Sequence, residues 1–369
     1  MVLKGLTTMT DVTGVTNIAN ATETAHVAEL TPSDPAADAG AVVNLLSGLI
    51  AAQVLRAVAE LCIADHLADG ALTAEETAER AGTHPQATYR LMRAASSLGL
   101  LSHEGQRRFG LTGQGRLLRS DVPGSLRSLV LAQTSYGHWQ SWAHFPEAVR
   151  QGRSQTEKAL GTDIFEYFAL PENSAEAALF AEAMGDMSGL VTQGAVAAVS
   201  TAGVSTIVDV GGAHGDFVLG LMEAGPELSG QVLDLPHVVD GARAEAEKRG
   251  LSDRFSAVAG DFFQEVPPAD LYLLKMILHD WDDAQCAAIL RGCRSAVNEG
   301  GRALVVEMVI GELGRPDFTT LSDMVMLTMT NGRERDLSEF DAIFTASGWR
   351  RAKTYPVGGG YFGMELVAI

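Results

Sequence analysis

From Ser205 onward the chain alternates short apolar runs with longer amphipathic stretches. The runs "STIVDVGG", "GQVLDLP", "FSAVAGDFF", "ADLYLLKMIL" and "RALVVEMVI" have the length and β-branched content of buried strands. Between them, "DFVLGLMEAG", "HVVDGARAEAEKRG" and "DAQCAAILRGCRSAVNEG" carry apolar residues at helical spacing. This alternation predicts an α/β fold over residues 196–369: a doubly wound, mostly parallel sheet. The last two apolar runs, "WRRAKTYPV" and "GYFGMELVAI", are joined through Gly358 to Gly360 and predict an antiparallel pair that closes it.

The first part of the chain has a different pattern. Residues 1–40 are rich in Thr and Ala with no sustained apolar period, and predict a flexible tail with no export signal. "AVVNLLSGLIAAQVLRAVAELCIADHL" is apolar from Val42 to Leu67, but Asn44, Gln53, Arg56 and Glu60 interrupt it, which suits a buried or dimer-forming helix better than a membrane span. Next, "LTAEETAERAGTHPQATYRLMRAASSLGLL" predicts a capped helix, a turn from Gly82 to Pro85 and a second helix. "SHEGQRRFGLTGQGRLL" adds a short hairpin, so residues 41–120 resemble a winged helix. Residues 121–195 are helical and aromatic. Tyr136, Trp139, Trp142, Phe145, Phe165, Met184 and Met187 there suit either an ordinary core or the wall of a pocket for a flat organic molecule.

Charge narrows the partners. A formal net charge of −19 repels nucleic acid and anionic membranes, and the second helix of the winged module offers mainly Arg90 and Arg93 to a DNA groove. The module is therefore read as a scaffold or homodimer contact. Cys62, Cys286 and Cys293 form no CxxC pair, which favours reduced core residues and a cytoplasmic protein.

The unusual residues of the alternating half fall at the carboxyl ends of its predicted strands, where open α/β sheets bind ligands. The first strand ends in "VDVGGAHG", with Gly211 and Gly215 at a turn. A dinucleotide fingerprint would need glycine where Ala213 and Asp216 stand. Asp209, two residues before the first glycine, suits a cationic ligand better than a pyrophosphate, and S-adenosylmethionine (SAM) carries an ammonium and a sulfonium. Asp234 ends the second strand where an acid can accept from both hydroxyls of a ribose. Asp261 in "GDFF" can accept from an adenine amino group, and Phe262 can pack on its ring. Taken singly, each could be a helix cap or a core aromatic.

With these residues in view, the chain from about 41 to 369 resembles the SAM-dependent small-molecule O-methyltransferases of the plant caffeate type and their bacterial secondary-metabolite relatives. "LKMILHDWDD" is the most specific piece, and "DVGGAHG", "LDLP", "GDFF", "VVEMVI" and "NGRERDLSEF" stand at matching positions. The resemblance implies a Rossmann-like methyltransferase domain behind a winged-helix dimerisation domain, with SAM as cofactor and a homodimer as the working form. It further implies His279 as general base flanked by Glu307 and Glu334, and Gly211, Asp234, Asp261, Phe262 and Lys275 around SAM, with Ser188 at the methionine end. Ala213, where many members have Gly, tightens the loop without excluding SAM.

An oxygen nucleophile must align with the methyl group and lose its proton. An imidazole near pKa 6.5 facing a phenol near 10 is short by roughly 5 kcal/mol, so proton loss must accompany attack or the site must lower the phenol's pKa. As a lone residue at a strand end, His279 is more often framework than chemistry; the motif around it favours chemistry. No second His or Cys cluster supports a metal reading, and Asp280, Asp282 and Asp283 suit the start of the next helix. Asp280 also falls on the acceptor side of the base. "SDMVMLTMTNG" puts Met324, Met326 and Met329 where the family lines its acceptor pocket, beside Trp139, Phe165 and Met184, although buried helix core explains the methionines nearly as well. The expected reaction is methyl transfer to a hydroxyl, by preference phenolic, of an aromatic or polycyclic secondary metabolite. The alternatives are N-methylation, or a relative that binds SAM but hydroxylates, decarboxylates or performs a pericyclic step.

Overall fold

In the computed structural model, which describes residues 34–236 and 238–369, the alternating half forms a seven-stranded sheet. With the three short strands of the N-terminal part numbered first (β1 Leu72–Thr73, β2 Leu101–His103, β3 Arg108–Leu111), its strands are β4 Thr206–Val210, β5 Ser229–Asp234, β6 Phe255–Ala259, β7 Ala269–Lys275, β8 Val297–Met308, β9 Trp349–Gly358 and β10 Tyr361–Ala368. Their order is β6-β5-β4-β7-β8-β10-β9, with β10 antiparallel to both neighbours and every other pairing parallel. Strand side chains point alternately to opposite faces, so Ile207, Leu271, Leu273, Leu304 and Val306 enter one core while Val208, Tyr272, Leu274, Ala303 and Val305 enter another. The apolar runs lack a polar alternate because both faces are covered. The order reverses between β4 and β7, the place where such sheets open a crevice.

The chain divides into two compact units. One holds residues 190–327 and 331–369; the other holds residues 34–189 with 328–330. The division falls within the helix Ser174–Ala198.

In the helical unit the first helix starts earlier than its apolar pattern suggested. Asp34 accepts from the Ala36 amide at 3.0 Å and Pro35 fills the first turn, so residues 35–40 are helical where the sequence pattern predicts a flexible tail. Residues 1–33 of that tail lie outside the described residues. The same helix stops at Glu60, because Cys62 takes a left-handed φ of 52°; a separate turn, Ile63–His66, follows. Thr73 and Glu76 form a reciprocal capping box on the helix Ala74–Ala81, Gly82 ends it at φ 63°, and Pro85–Ser97 follows. The hairpin β2–β3, with β1 on the other side of β3, completes the winged module around Val58, Ile63, Leu67, Met92, Leu101 and Phe109. Its first helix has no such cover: Val42, Val43, Leu45, Leu46, Leu49 and Ile50 are each more than half exposed.

Candidate active site

Parallel pairing sets the strand ends level. Val210 pairs with Leu233, Asp234 with Ala259, Asp209 with Leu273, and Lys275 with Val306, so Asp209, Asp234, Lys275 and Glu307 share one edge of the sheet. At that edge the turn after β4 is built from backbone. Gly211 takes a φ of 67° and Gly215 of 80°, and a Cβ on Gly211 would lie 2.6 Å from the Ile277 side chain. Ala213 takes a φ of 50°, a conformation that strains an L residue. Its amide donates to Asp234 Oδ2 at 2.9 Å, while Leu235 donates to Oδ1 at 2.7 Å, so Asp234 holds the glycine turn and keeps further lone pairs.

The other carboxylates at this edge differ in exposure. Asp209 is buried, and burial pushes its carboxyl up to about 7 against the pull of Lys275 and of the Val218 amide, which donates at 3.4 Å. Lys275 is held below its ordinary value by desolvation, with Asp209 opposing. Asp261 accepts from the Phe263 amide at 2.9 Å and from Gln264 at 3.2 Å, so it is a local turn cap. Phe262 and Phe263 meet Trp281 edge-on, at centroid distances of 6.0 and 4.9 Å.

Beyond β7 the construction changes. His279 stands on a 3₁₀ turn, Leu278–Asp280, rather than on the strand itself, which ends at Lys275; Met276, with φ 57°, makes the corner. Glu307 Oε1 accepts from the Ile277 and Leu278 amides at 2.9 and 2.7 Å. The second oxygen, Oε2, is 3.5 Å from His279 Nδ1, and Glu334 Oε1 is 3.9 Å from the same nitrogen. Ser322 donates to Glu334 Oε1 at 3.0 Å. The side chain of His279 is 11% exposed and those of Glu307 and Glu334 at most 1%, yet His279 Nδ1, Glu307 Oε2 and Glu334 Oε2 each lack a hydrogen bond. Groups buried in this state hold strong interaction in reserve.

Their charges reflect this. Burial pulls the imidazole down, but Glu307, Asp280 and Glu334 together outweigh it and set its pKa above 6.5. Burial pushes Glu334 up to about 7 and Glu307 above its usual 4.5, with His279 opposing in both. Asp280, 3.7 Å from His279 Nε2, is also raised by desolvation. Asp282, by contrast, is a plain helix cap, forming a reciprocal box with Gln285 at the start of Asp283–Ala296. No group of three metal-ligating side chains occurs among the described residues.

The segment Asn331–Asp336 backs this turn more fully than its motif disclosed. A Cβ on Gly332 would lie 1.9 Å from the His279 carbonyl, the Arg333 amide donates to that carbonyl at 2.8 Å, and Glu334 faces the imidazole. Arg335 donates to the Leu278 and Trp281 carbonyls, and Cys286 Sγ reaches the same two, at 3.1 and 3.5 Å. Gly332 and Arg335 stand in the motif "NGRERDLSEF", but nothing in the sequence marks them or Cys286 for this task.

A profile of the O-methyltransferase domain matches residues 142–350, and one of the O-methyltransferase dimerisation domain matches residues 43–121. The phenazine O-methyltransferase of Lysobacter antibioticus is 33% identical over 86% of this chain and 93% of its own. The chain belongs to the O-methyltransferase family. Among solved structures, that of a mitomycin 7-O-methyltransferase shares 33% identity over 90% of this chain and 98% of its own, with a TM-score of 0.82. An O-methyltransferase of neocarzinostatin biosynthesis, solved with S-adenosylhomocysteine and 1,4-dihydroxy-2-naphthoic acid, shares 32% over 88% of this chain and 98% of its own, with a TM-score of 0.75. Membership makes this chain a SAM-dependent O-methyltransferase.

For this O-methyltransferase the strand-end residues fit that donor chemically. Asp234 keeps lone pairs for hydroxyls, Asp209 is an acid that a cation would ionise, and Gly211 leaves space that a Cβ would fill. The sheet unit thus brings together Asp209, Gly211, Asp234, Asp261, Phe262, Lys275, His279, Asp280, Glu307 and Glu334. It also contains Met324, half-buried on the helix Phe318–Met329, whose neighbour Asp323 accepts from the Glu334 amide at 2.9 Å. Trp139, Phe165, Met184 and Ser188 belong to the helical unit: Phe165 is 59% exposed, and the other three are half-buried.

Proposed function

We propose that this enzyme methylates a phenolic hydroxyl of an aromatic or polycyclic secondary metabolite, with His279 as the general base. The observation that carries the reading is the buried imidazole whose Nδ1 stands within 4 Å of both Glu307 and Glu334. Two carboxylates on that side favour the tautomer with its proton on Nδ1 and leave Nε2 to accept. Bound at the strand ends, SAM supplies an electrophilic methyl group on a sulfonium. His279 takes the hydroxyl proton at Nε2 as the oxygen attacks, and Glu307 and Glu334 stabilise the resulting imidazolium. Asp280, beside Nε2, faces the acceptor. Asp234 would accept from the ribose hydroxyls and Asp261 from the adenine amine, Phe262 would pack on its ring, and Asp209, Lys275 and Gly211 would hold the methionine end.

In the same reading residues 41–120 form a homodimer, 121–195 bind the acceptor through Trp139, Phe165 and Met184, and 196–369 hold SAM. The bare apolar stretch from Val42 to Ile50 supports a second copy as its cover. By length and composition the helix Pro35–Glu60 could also cross a membrane. The dimerisation-domain match from residue 43 favours the second copy. The unpaired, buried thiols of Cys286 and Cys293 support a reducing compartment, the cytoplasm. Light scattering should give a dimer at micromolar concentration; a stable monomer would remove that part of the reading.

The test of the reaction incubates the protein with methyl-labelled SAM and a panel of phenols, hydroxynaphthoates and hydroxyphenazines, with product masses recorded. One acceptor should gain a single methyl on oxygen, with one S-adenosylhomocysteine formed per product. Conversion of an acceptor without S-adenosylhomocysteine would contradict the reading.

A further inference from the structure

Arg335 is fully buried, yet it does not face His279 as Glu334 does. Its guanidinium forks onto the chain on both sides of the histidine: Nη1 donates to the Leu278 carbonyl at 3.0 Å and Nη2 to the Trp281 carbonyl at 2.7 Å. The third side, Nε, donates to Asp283 Oδ1 at 2.9 Å, and the Asp283 side chain is 56% exposed. Burying a guanidinium is costly, and an apolar side chain of similar size fills such a space at least as well. What an apolar residue cannot do is hold two carbonyls at a fixed separation while placing a positive charge beside a group of acids. Glu307 holds the amides of the same turn, so the backbone that carries His279 is gripped from both sides.

We propose that Arg335 is a positioning residue for proton transfer: its fork fixes the turn that presents His279, and it sets a fixed cation into the buried group of acids around the imidazole. The inference rests on His279 being the base. The groups that bear on His279 come from several elements: Asp280 from its own turn, Glu307 from β8, and Glu334 and Arg335 from the segment after Phe318–Met329. Tyr361 of β10 lies beside both glutamates, Asp323 beside Glu334, and Lys275 of β7 acts on Glu307 from the cofactor side. Arg335 opposes the acids at His279.

Two substitutions separate fork from charge. Arg335→Lys keeps the charge and loses the two-carbonyl grip. Its kcat should fall about tenfold, as expected for a misplaced catalytic group, with the KM for SAM within about twofold and the acid limb of the kcat profile in place. Arg335→Met loses both. Its kcat should fall further, and the acid limb should move up, because His279 then feels the acids without the opposing cation. Should Arg335→Met fail to unfold cooperatively, Asp283→Asn decides. Removing that anion from the outer, half-exposed side strengthens the cation's hold on His279, so the limb should move down.

Unchanged limbs in the folded variants, with kcat near native, would overturn the inference and leave Arg335 as packing. A limb that persists in His279→Ala belongs to another group and would instead overturn the reading of the base, whatever Arg335 does.

Discussion

The turn after β4 and the turn after β7 end parallel strands at the same edge of one sheet, and they are held in opposite ways. The first is shaped by backbone freedom: Gly211 and Gly215 take positive φ, and one carboxylate at the end of the neighbouring strand, Asp234, ties the loop through the Ala213 amide. The second contains no glycine. Its shape is imposed by side chains from other elements, with Glu307 on two amides, Arg335 and Cys286 on two carbonyls, and Gly332 only as clearance behind it. A cofactor cradle can tolerate breathing because several contacts share the binding energy. A base that must accept a proton during bond formation needs a fixed position, since small displacements lose large factors in rate.

If that contrast is right, removing the carboxylate under each turn has different consequences. Glu307→Ala strands two buried amides and exposes His279 to a cavity, so urea unfolding should show a loss of about 3 kcal/mol or more together with collapse of turnover. Asp234→Ala should cost the fold only about 1 kcal/mol but weaken SAM binding by ten- to a hundredfold in calorimetry, about 1.5–3 kcal/mol. Equal losses of stability in the two variants would break the comparison.

Glycine substitutions sharpen it. Gly211→Ala puts a Cβ 2.6 Å from Ile277 at φ 67°, and should destabilise by about 1–2 kcal/mol or more while weakening SAM binding. Ala213→Gly relieves a left-handed alanine, worth about 1 kcal/mol, but restores a similar entropy to the unfolded chain. The melting temperature should therefore shift by only a few degrees.

The smallest effect is a proton count. The Asp209 carboxyl, pushed up to about 7 by burial, is largely protonated at pH 6.5 in the folded chain. An acid whose folded pKa exceeds its unfolded value stabilises the fold at low pH, and that contribution declines as pH rises from about 4 through 7. A cationic ligand beside it favours ionisation. SAM binding at pH 6.5 should therefore release a fraction of a proton, seen as a buffer-dependent enthalpy. Asp209→Asn should abolish the dependence, and an unaltered dependence would remove Asp209 from the count.

The same contrast explains what could be read from sequence. A turn built from local backbone freedom leaves its mark within a few residues, so "VDVGGAHG", Asp234 at the end of β5 and Asp261 just beyond β6 are legible, as is the closing antiparallel pair of the sheet. Apart from Cys286, the His279 turn is held by residues 28 to 57 positions away, where no local pattern records that Arg335 grips Leu278 or that Gly332 makes room for a carbonyl. Its three central groups were reached through a family resemblance, and its supports were not. The first helix was misjudged at both ends for local reasons: Asp34 and Pro35 start it before the apolar stripe begins, and a left-handed Cys62 stops it before the stripe ends.

The central claim is that His279 takes the proton, and the most direct test is the pH dependence of single-turnover methyl transfer in the native enzyme and in His279→Ala, both saturated with SAM. With the imidazole held above 6.5 by its carboxylates, the native rate should climb with pH through an apparent pKa above that value and then level. His279→Ala should bind SAM within about twofold of native, run about a hundredfold to ten-thousandfold slower and lack the limb. A variant that keeps both the limb and a near-native rate would show that the proton leaves by another route.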